Sequence, residues 1–314
     1  MREEMARDPR VFVIGEDIGA RGGVFLATDG FTEEFGEDRV IDAPLAESSI
    51  AGIALGAAMH GMRPIAEIEF ADFIWPTMNQ LVGEAARARY GTAGAVTAPL
   101  VVRAPQGGGV RGGLYHSQSV EAFFAHAPGL KVIAPATPYD AKGLLKSSVR
   151  DEDPVLFLEH KRTYRLVRGE VPDVEYTLPI GVADVKMEGV DMSVITYGLM
   201  LHHCLEAARS LAGEGVSVEV VDLRTVRPLD EETIVKSVEK TGKALIVHED
   251  TKAGGIGGEV AAIVAEHAFE YLDGPVMRLA GAEVPAMPFS PPLEAAFMLD
   301  ADKIAGAMRR LAQY

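Results

Sequence analysis

The 314 residues hold one cysteine, Cys204. A lone thiol excludes an intrachain disulfide and any cysteine-rich metal centre. It suits a reducing compartment, the cytoplasm of a bacterium or archaeon or an organelle matrix, with the cytoplasm favoured. Basic residues are in deficit, 30 Lys and Arg against 46 Asp and Glu, for a net charge of −16. That balance sets aside nucleic acid and an anionic membrane surface as principal partners. Long apolar runs are missing too. The longest one near the N-terminus, residues 50–59, is too short to cross a bilayer and reads as a buried helix. The opening MREEMARDPR has no apolar core of a secretory signal. With 48% hydrophobic and 24% charged residues, the chain is composed like an ordinary globular protein.

The late glycine cluster Gly254-Gly255-Ile256-Gly257-Gly258 does not meet G-x-G-x-x-G in any register, and a nicotinamide dehydrogenase is a distant reading. Those glycines read instead as room for a close helix–strand approach. There is no G-x-x-x-x-G-K-[ST] phosphate loop, no second His after His248-Glu249 for a zincin, and no G-x-S-x-G elbow.

What is present is an alternation of short β-branched runs and longer helical patterns, the mark of α/β architecture with mostly parallel sheets. Strands are expected at Val11–Ile14, Arg39–Asp42, Pro64–Glu67, Leu100–Arg103, Lys131–Ile133 and Val155–Leu158. Helices fall near 47–60, 74–90, 118–126 and 138–149. The stretch around 160–185 is charged, carries Pro172 and Pro179 and has no period; it reads as a linker. A second series follows, with strands at Met192–Thr196, Ser217–Val221, Ala244–Val247 and Val276–Arg278. Its helices lie near 199–213, 230–240, 257–270 and 302–312, with Asp230 as an expected N-cap. The division is 1–170, a linker over 171–184, and 185–314.

Two places concentrate reactive groups. In Ile41-Asp42-Ala43-Pro44-Leu45-Ala46-Glu47 a carboxylate stands where a strand ends and a helix of small residues begins. Crevices outside the carboxyl ends of parallel strands are where α/β folds bind ligands. A Glu in a first helical turn is also stabilised by the helix dipole alone, so position does not decide its role. The second place is the loop from Arg103 to Gln118, with five glycines in seven residues at 107–113 and then His116. It brings a histidine to the same strand-end side; an ordinary surface His is the plainer reading, but long glycine-rich loops in compact folds are often functional.

The stretches GEDIGARGGVF, IDAPLAESSIAGIALGAAMHGMRPIAEIEFADF, GGLYHSQSVEAFFAHAPGLKVIAP and AKGLLKSSVRDEDPVLFLE resemble the beta subunit of the decarboxylating component of 2-oxo acid dehydrogenase complexes. That group includes the pyruvate, branched-chain 2-oxo acid and acetoin dehydrogenases. The likeness is collinear and continues through VEVVDLRTVRPLD and HEDTKAGGIGGEV. The family's opening helix is largely missing, as a truncation or misassigned start would leave it. The resemblance implies a transketolase-like pyrimidine-binding domain followed by a transketolase C-terminal-like domain, with thiamine diphosphate as cofactor. Glu47 matches the carboxylate that bonds N1′ of the aminopyrimidine and shares a proton with it, favouring the imino tautomer. Phe73 matches the aromatic stacked on that ring, and Leu45 packs near it. His116 matches the histidine beside the substrate and the incoming lipoyl group. Glu69 stands where branched-chain relatives often carry Gln. A structural monovalent cation, usually K+, is implied at Leu100, Ser148, Val149, Asp151 and Asp153, Asp153 replacing a common Asn.

The family binds diphosphate and Mg2+ through Gly-Asp-Gly, and none occurs here. Half of the cofactor site, Mg2+ included, is therefore expected on an alpha subunit in an α2β2 heterotetramer. The implied reaction is oxidative decarboxylation of a small 2-oxo acid, with the acyl group passing to lipoyl-lysine of an acyltransferase component. That component's basic subunit-binding domain is expected to dock on the C-terminal domain near Tyr314. An acetoin dehydrogenase subunit, a non-catalytic assembly subunit and a self-sufficient thiamine enzyme remain as other readings.

Overall fold

The computed structural model describes residues 1–314. The first half supplies β1 (Val11–Gly15), β2 (Val40–Asp42), β3 (Arg63–Glu67), β4 (Val101–Gln106), β5 (Lys131–Ile133) and β6 (Val155–His160), all paired in parallel. Then come β7 (Asp184–Met187), β8 (Met192–Thr196), β9 (Val218–Asp222), β10 (Thr225–Arg227), β11 (Ala244–Thr251) and β12 (Met277–Gly281). Five of these form a second sheet in the order β12-β11-β8-β9-β7, parallel except for β7. β10 crosses back and adds an antiparallel edge to the first sheet, whose order is β10-β5-β6-β4-β3-β1-β2. Every residue of β1, β4, β8 and β9 is buried, as strands covered on both faces must be. No helix is long and apolar enough to cross a membrane.

All ten expected strands form, and β7 and β10 are additional. Asp230 caps its helix, its Oδ1 accepting from the Thr233 amide at 3.0 Å. The single helix expected over 74–90 is instead a 3-10 turn at Trp75–Thr77, a π-helical stretch at Asn79–Ala85 and an α-helix at Ala86–Gly91. The late glycine run does serve close approach: a Cβ on Gly257 would lie 2.6 Å from Nε2 of the buried His248 on β11.

Residues 171–184 form no slack tether. Glu175 pairs with Lys146 and, at 2.5 Å, with Arg150 on the helix Pro138–Arg150, and Tyr176 stacks on Tyr139 with ring centroids 4.7 Å apart. The two sheets share one apolar cluster, which runs from Ile14, Val102 and Leu158 to Ile195, Val221, Ile246 and Val260. Inside that contact the Tyr197 hydroxyl donates to Glu121 Oε1 at 2.8 Å, both groups buried.

Beneath the strand ends lies a buried charge set. The Arg103 guanidinium on β4 bonds Glu67 on β3 and, at 2.5 Å, Glu159 on β6. Arg103 and Glu67 are almost wholly buried, and burial pushes the Glu67 carboxyl up despite the adjacent cation. Removing one partner of a buried pair costs about 3–5 kcal/mol because the other charge is left uncompensated. Arg103→Met is therefore expected to lose about that much in urea unfolding; an unchanged midpoint would show the set to be dispensable.

Candidate functional site

Three loops leave the carboxyl ends of the first sheet on one side. The first follows β2. Pro44 delays the helix until Glu47, which opens Glu47–Met59 with its carboxylate at the positive end of the dipole. Leu45 beside it is 72% exposed, unusual for a leucine. The second loop follows β3 and carries Glu69, Phe70, Asp72 and Phe73. The third follows β4 and carries the glycines and His116.

Rings join the last two loops. His116 stands edge-on to Phe70 at 4.6 Å and to Phe73 at 5.3 Å between centroids, and Phe70 meets Phe73 at 5.7 Å. Behind Phe70 the buried Lys161 ammonium sits 5.7 Å from the ring centroid and donates to Pro105 O at 3.3 Å. Burial lowers it to about 8. Asp72 holds the segment just past His116, its Oδ1 accepting the amides of Ser117 at 3.0 Å and Gln118 at 3.1 Å.

The mouth of the site is acidic. Burial, then the Asp17 and Glu47 charges, raise the Glu16 carboxyl. Burial, then Glu16 and Asp17, push Glu69 up to about 7. Such a mouth suits a cationic, aromatic ring system and repels a phosphate. Nor is the glycine loop a phosphate cradle, since its Gly108 and Arg111 amides already donate to Glu249 and Glu294. Glu47, Phe73 and His116 are partly exposed and Leu45 is exposed, so the site is an open half-shell.

Residues 1–167 match the family model "Transketolase, pyrimidine binding domain" and 181–304 match "Transketolase, C-terminal domain". The chain is 62% identical, over 100% of its length and 96% of the relative, to the 2-oxoisovalerate dehydrogenase subunit beta of Bacillus subtilis (strain 168). It is 52% identical to the pyruvate dehydrogenase E1 component subunit beta of the same strain, covering 92% of this chain and 89% of that one. The chain belongs to the 2-oxo acid dehydrogenase beta-subunit family. A solved structure, "Split gene transketolase, inactive beta4 tetramer", shares the fold with a TM-score of 0.79 at 22% identity, covering 99% of this chain and 94% of that one.

For a beta subunit of this family, the aminopyrimidine end of thiamine diphosphate fits the half-shell: a carboxylate at Glu47, an aromatic ring at Phe73 and an exposed apolar Leu45. The diphosphate end does not fit. At the turn expected to hold K+, the named groups have partners within the protein. Arg63 Nη1 donates to the carbonyls of Val149 at 2.9 Å and Asp151 at 3.0 Å. Lys131 Nζ lies 2.6 Å from Asp151 Oδ2, and Arg89 Nε 2.5 Å from Asp153 Oδ1. The Leu100 carbonyl takes the Val155 amide at 2.8 Å, and that of Ser148 takes the Asp151 amide at 3.3 Å.

Sequence reasoning did not find Asp72, Lys161, Glu249 or Glu294. The raised Glu69 generates a prediction. Between pH 4.5 and about 7 the folded chain keeps a proton that the unfolded chain has released, so stability falls as pH rises through that window. Glu69→Gln escapes the loss. Its Tm should exceed the parent's by about 2–4 °C at pH 8, after discounting for solvent screening, and by much less at pH 5. An equal difference at both pH values would contradict the assignment.

Proposed function

We propose that the chain is the beta subunit of a heterotetrameric α2β2 2-oxo acid dehydrogenase, EC 1.2.4 class, acting in the cytoplasm. It decarboxylates a branched-chain 2-oxo acid or pyruvate and passes the acyl group to lipoyl-lysine of the acyltransferase component. The observation that carries this reading is the ring cluster of Phe70, Phe73 and His116, on loops that leave the same strand ends as the loop of Glu47, beside a glycine loop whose amides are already taken. The greater identity to the 2-oxoisovalerate dehydrogenase subunit favours the branched-chain substrate.

Bound in the completed site, thiamine diphosphate supplies a carbon nucleophile and an electron sink for loss of CO2. Glu47 would share a proton with the ring nitrogen of the aminopyrimidine, Phe73 would offer its ring to it, and Leu45 would pack near it. His116 binds the substrate carboxylate and moves a proton when the lipoyl group is acylated. The alpha chain brings the diphosphate and Mg2+ ligands.

The helix that begins at Glu47 supports a partner at this place. It buries Ile50, Ala51, Ala54, Leu55 and Ala58, yet Ile53 and Met59 are exposed, and a Cβ on Gly56 would meet nothing within 4 Å. A helix apolar all round is covered on both sides in its working assembly. The exposed Tyr314 terminus and the acidic balance suit docking of the acyltransferase's basic domain.

The test is 2-oxo acid-dependent reduction of an artificial acceptor by the chain alone and mixed with its alpha subunit, with thiamine diphosphate and Mg2+. Activity is expected only in the mixture. Glu47→Gln should lower it about 10²–10⁴-fold with assembly intact. His116→Ala should impair acylation of a lipoyl domain more than acceptor reduction. Full activity of the Glu47→Gln tetramer would turn the reading toward a non-catalytic subunit.

A further inference from the structure

The loop that carries His116 is held from the other half of the molecule. Residues 107–113 leave β4 and reach side chains of the second half. The Gly108 amide donates to Glu249 Oε1 at 2.6 Å, and the other oxygen of that carboxylate lies 2.8 Å from His160 Nε2. Further along, the Arg111 amide donates to Glu294 Oε1 at 2.9 Å. Both carboxylates are buried, and both belong to the C-terminal domain.

The glycines are explained by the same contact. A Cβ on Gly108 would stand 2.0 Å from Met287 Sδ, and one on Gly113 3.2 Å from the Phe289 ring. On Gly107, where φ is +84°, it would stand 2.0 Å from His160 Nε2. The run is a strip of backbone thin enough to be gripped, rather than a slack hinge. Asp72 fixes the far side of His116 through the Ser117 and Gln118 amides. His116 thus sits between carboxylate clamps, two from the C-terminal domain before it and one from the first half after it.

We propose that Glu249 and Glu294 are positioning residues for the reaction: by clamping the glycine loop they set the His116 ring against Phe70 and Phe73, which makes the C-terminal domain a working part of the active site. The inference rests on the role given to His116 above. A buried amide without its acceptor pulls the backbone elsewhere, and a displacement of about 1 Å in a catalytic group costs about 10²-fold in rate.

The experiment uses the assembled enzyme with its alpha subunit, thiamine diphosphate and Mg2+. It reads kcat and KM for the 2-oxo acid, cofactor affinity, and hydrogen exchange over 107–118. Glu249→Leu should lower kcat about 10- to 100-fold, raise KM for the 2-oxo acid, speed exchange in the loop, and leave cofactor affinity near the parent's. Glu249→Gln keeps an acceptor for the Gly108 amide and should recover kcat to within about 3-fold of the parent. Glu249→Leu combined with His116→Ala should be no slower than His116→Ala alone, because both changes act on one element.

Parental kcat in Glu249→Leu, no recovery in Glu249→Gln, or losses that multiply in the double variant would each overturn the proposal. If Glu249→Leu does not assemble, Glu294→Leu carries the same test at the outer end of the loop, with a loss of about 3- to 10-fold expected. A fully active His116→Ala would overturn the role of His116 instead, and faster loop exchange in Glu249→Leu would still establish the clamp.

Discussion

The Arg103 guanidinium ties β3, β4 and β6 together at their carboxyl ends, and each of those strands launches a part of the site. β3 leads to Glu69, Phe70, Asp72 and Phe73, β4 to the glycine loop and His116, and β6 to His160 and Lys161. Parallel strands put all these departures on one side of the sheet. A guanidinium suits this post because it stays charged when buried and its fork reaches two carboxylates at once. The loops above it then need only short-range fixing, which carboxylate-to-amide bonds supply.

Those bonds also account for the molecule's division of labour. The first half provides the groups assigned to chemistry, and the second half provides Glu249, Met287, Phe289 and Glu294, which line one side of the glycine loop. A shared apolar cluster keeps the two halves from moving independently. The acidic mouth completes the picture. Glu16, Asp17, Glu47 and Glu69 crowd one crevice, and part of that repulsion is relieved when Glu69 keeps its proton near neutral pH. Such a crowd is costly for folding and suited to a cationic ring. Stability has been traded for a prepared surface.

Much of this was legible in the sequence. Consecutive apolar residues in strands such as Val11–Ile14 announced sheets covered on both faces, and Pro44 before Glu47 announced a strand end feeding a helix. The glycine loop announced itself by composition. What was not legible depends on distance along the chain. Glu249 and the Gly108 amide are 141 residues apart, and Glu294 and the Arg111 amide 183, so no local period reports them. β10 is three residues long and pairs with a strand of the other half, too short for any pattern to show. The partners of the acidic turn at 148–153, Arg63, Arg89 and Lys131, also come from other elements, and the sequence showed only the acids.

The central claim is that this chain holds one half of a cofactor site and that another chain holds the rest. Calorimetric titration of thiamine diphosphate with Mg2+ tests it most directly, run on the purified chain and on its mixture with the alpha subunit. The account predicts saturable binding in the mixture, one cofactor per alpha–beta pair, and no saturable heat from the chain alone. Tight stoichiometric binding by the chain alone would contradict it, because the diphosphate would then have a home among residues to which none has been assigned.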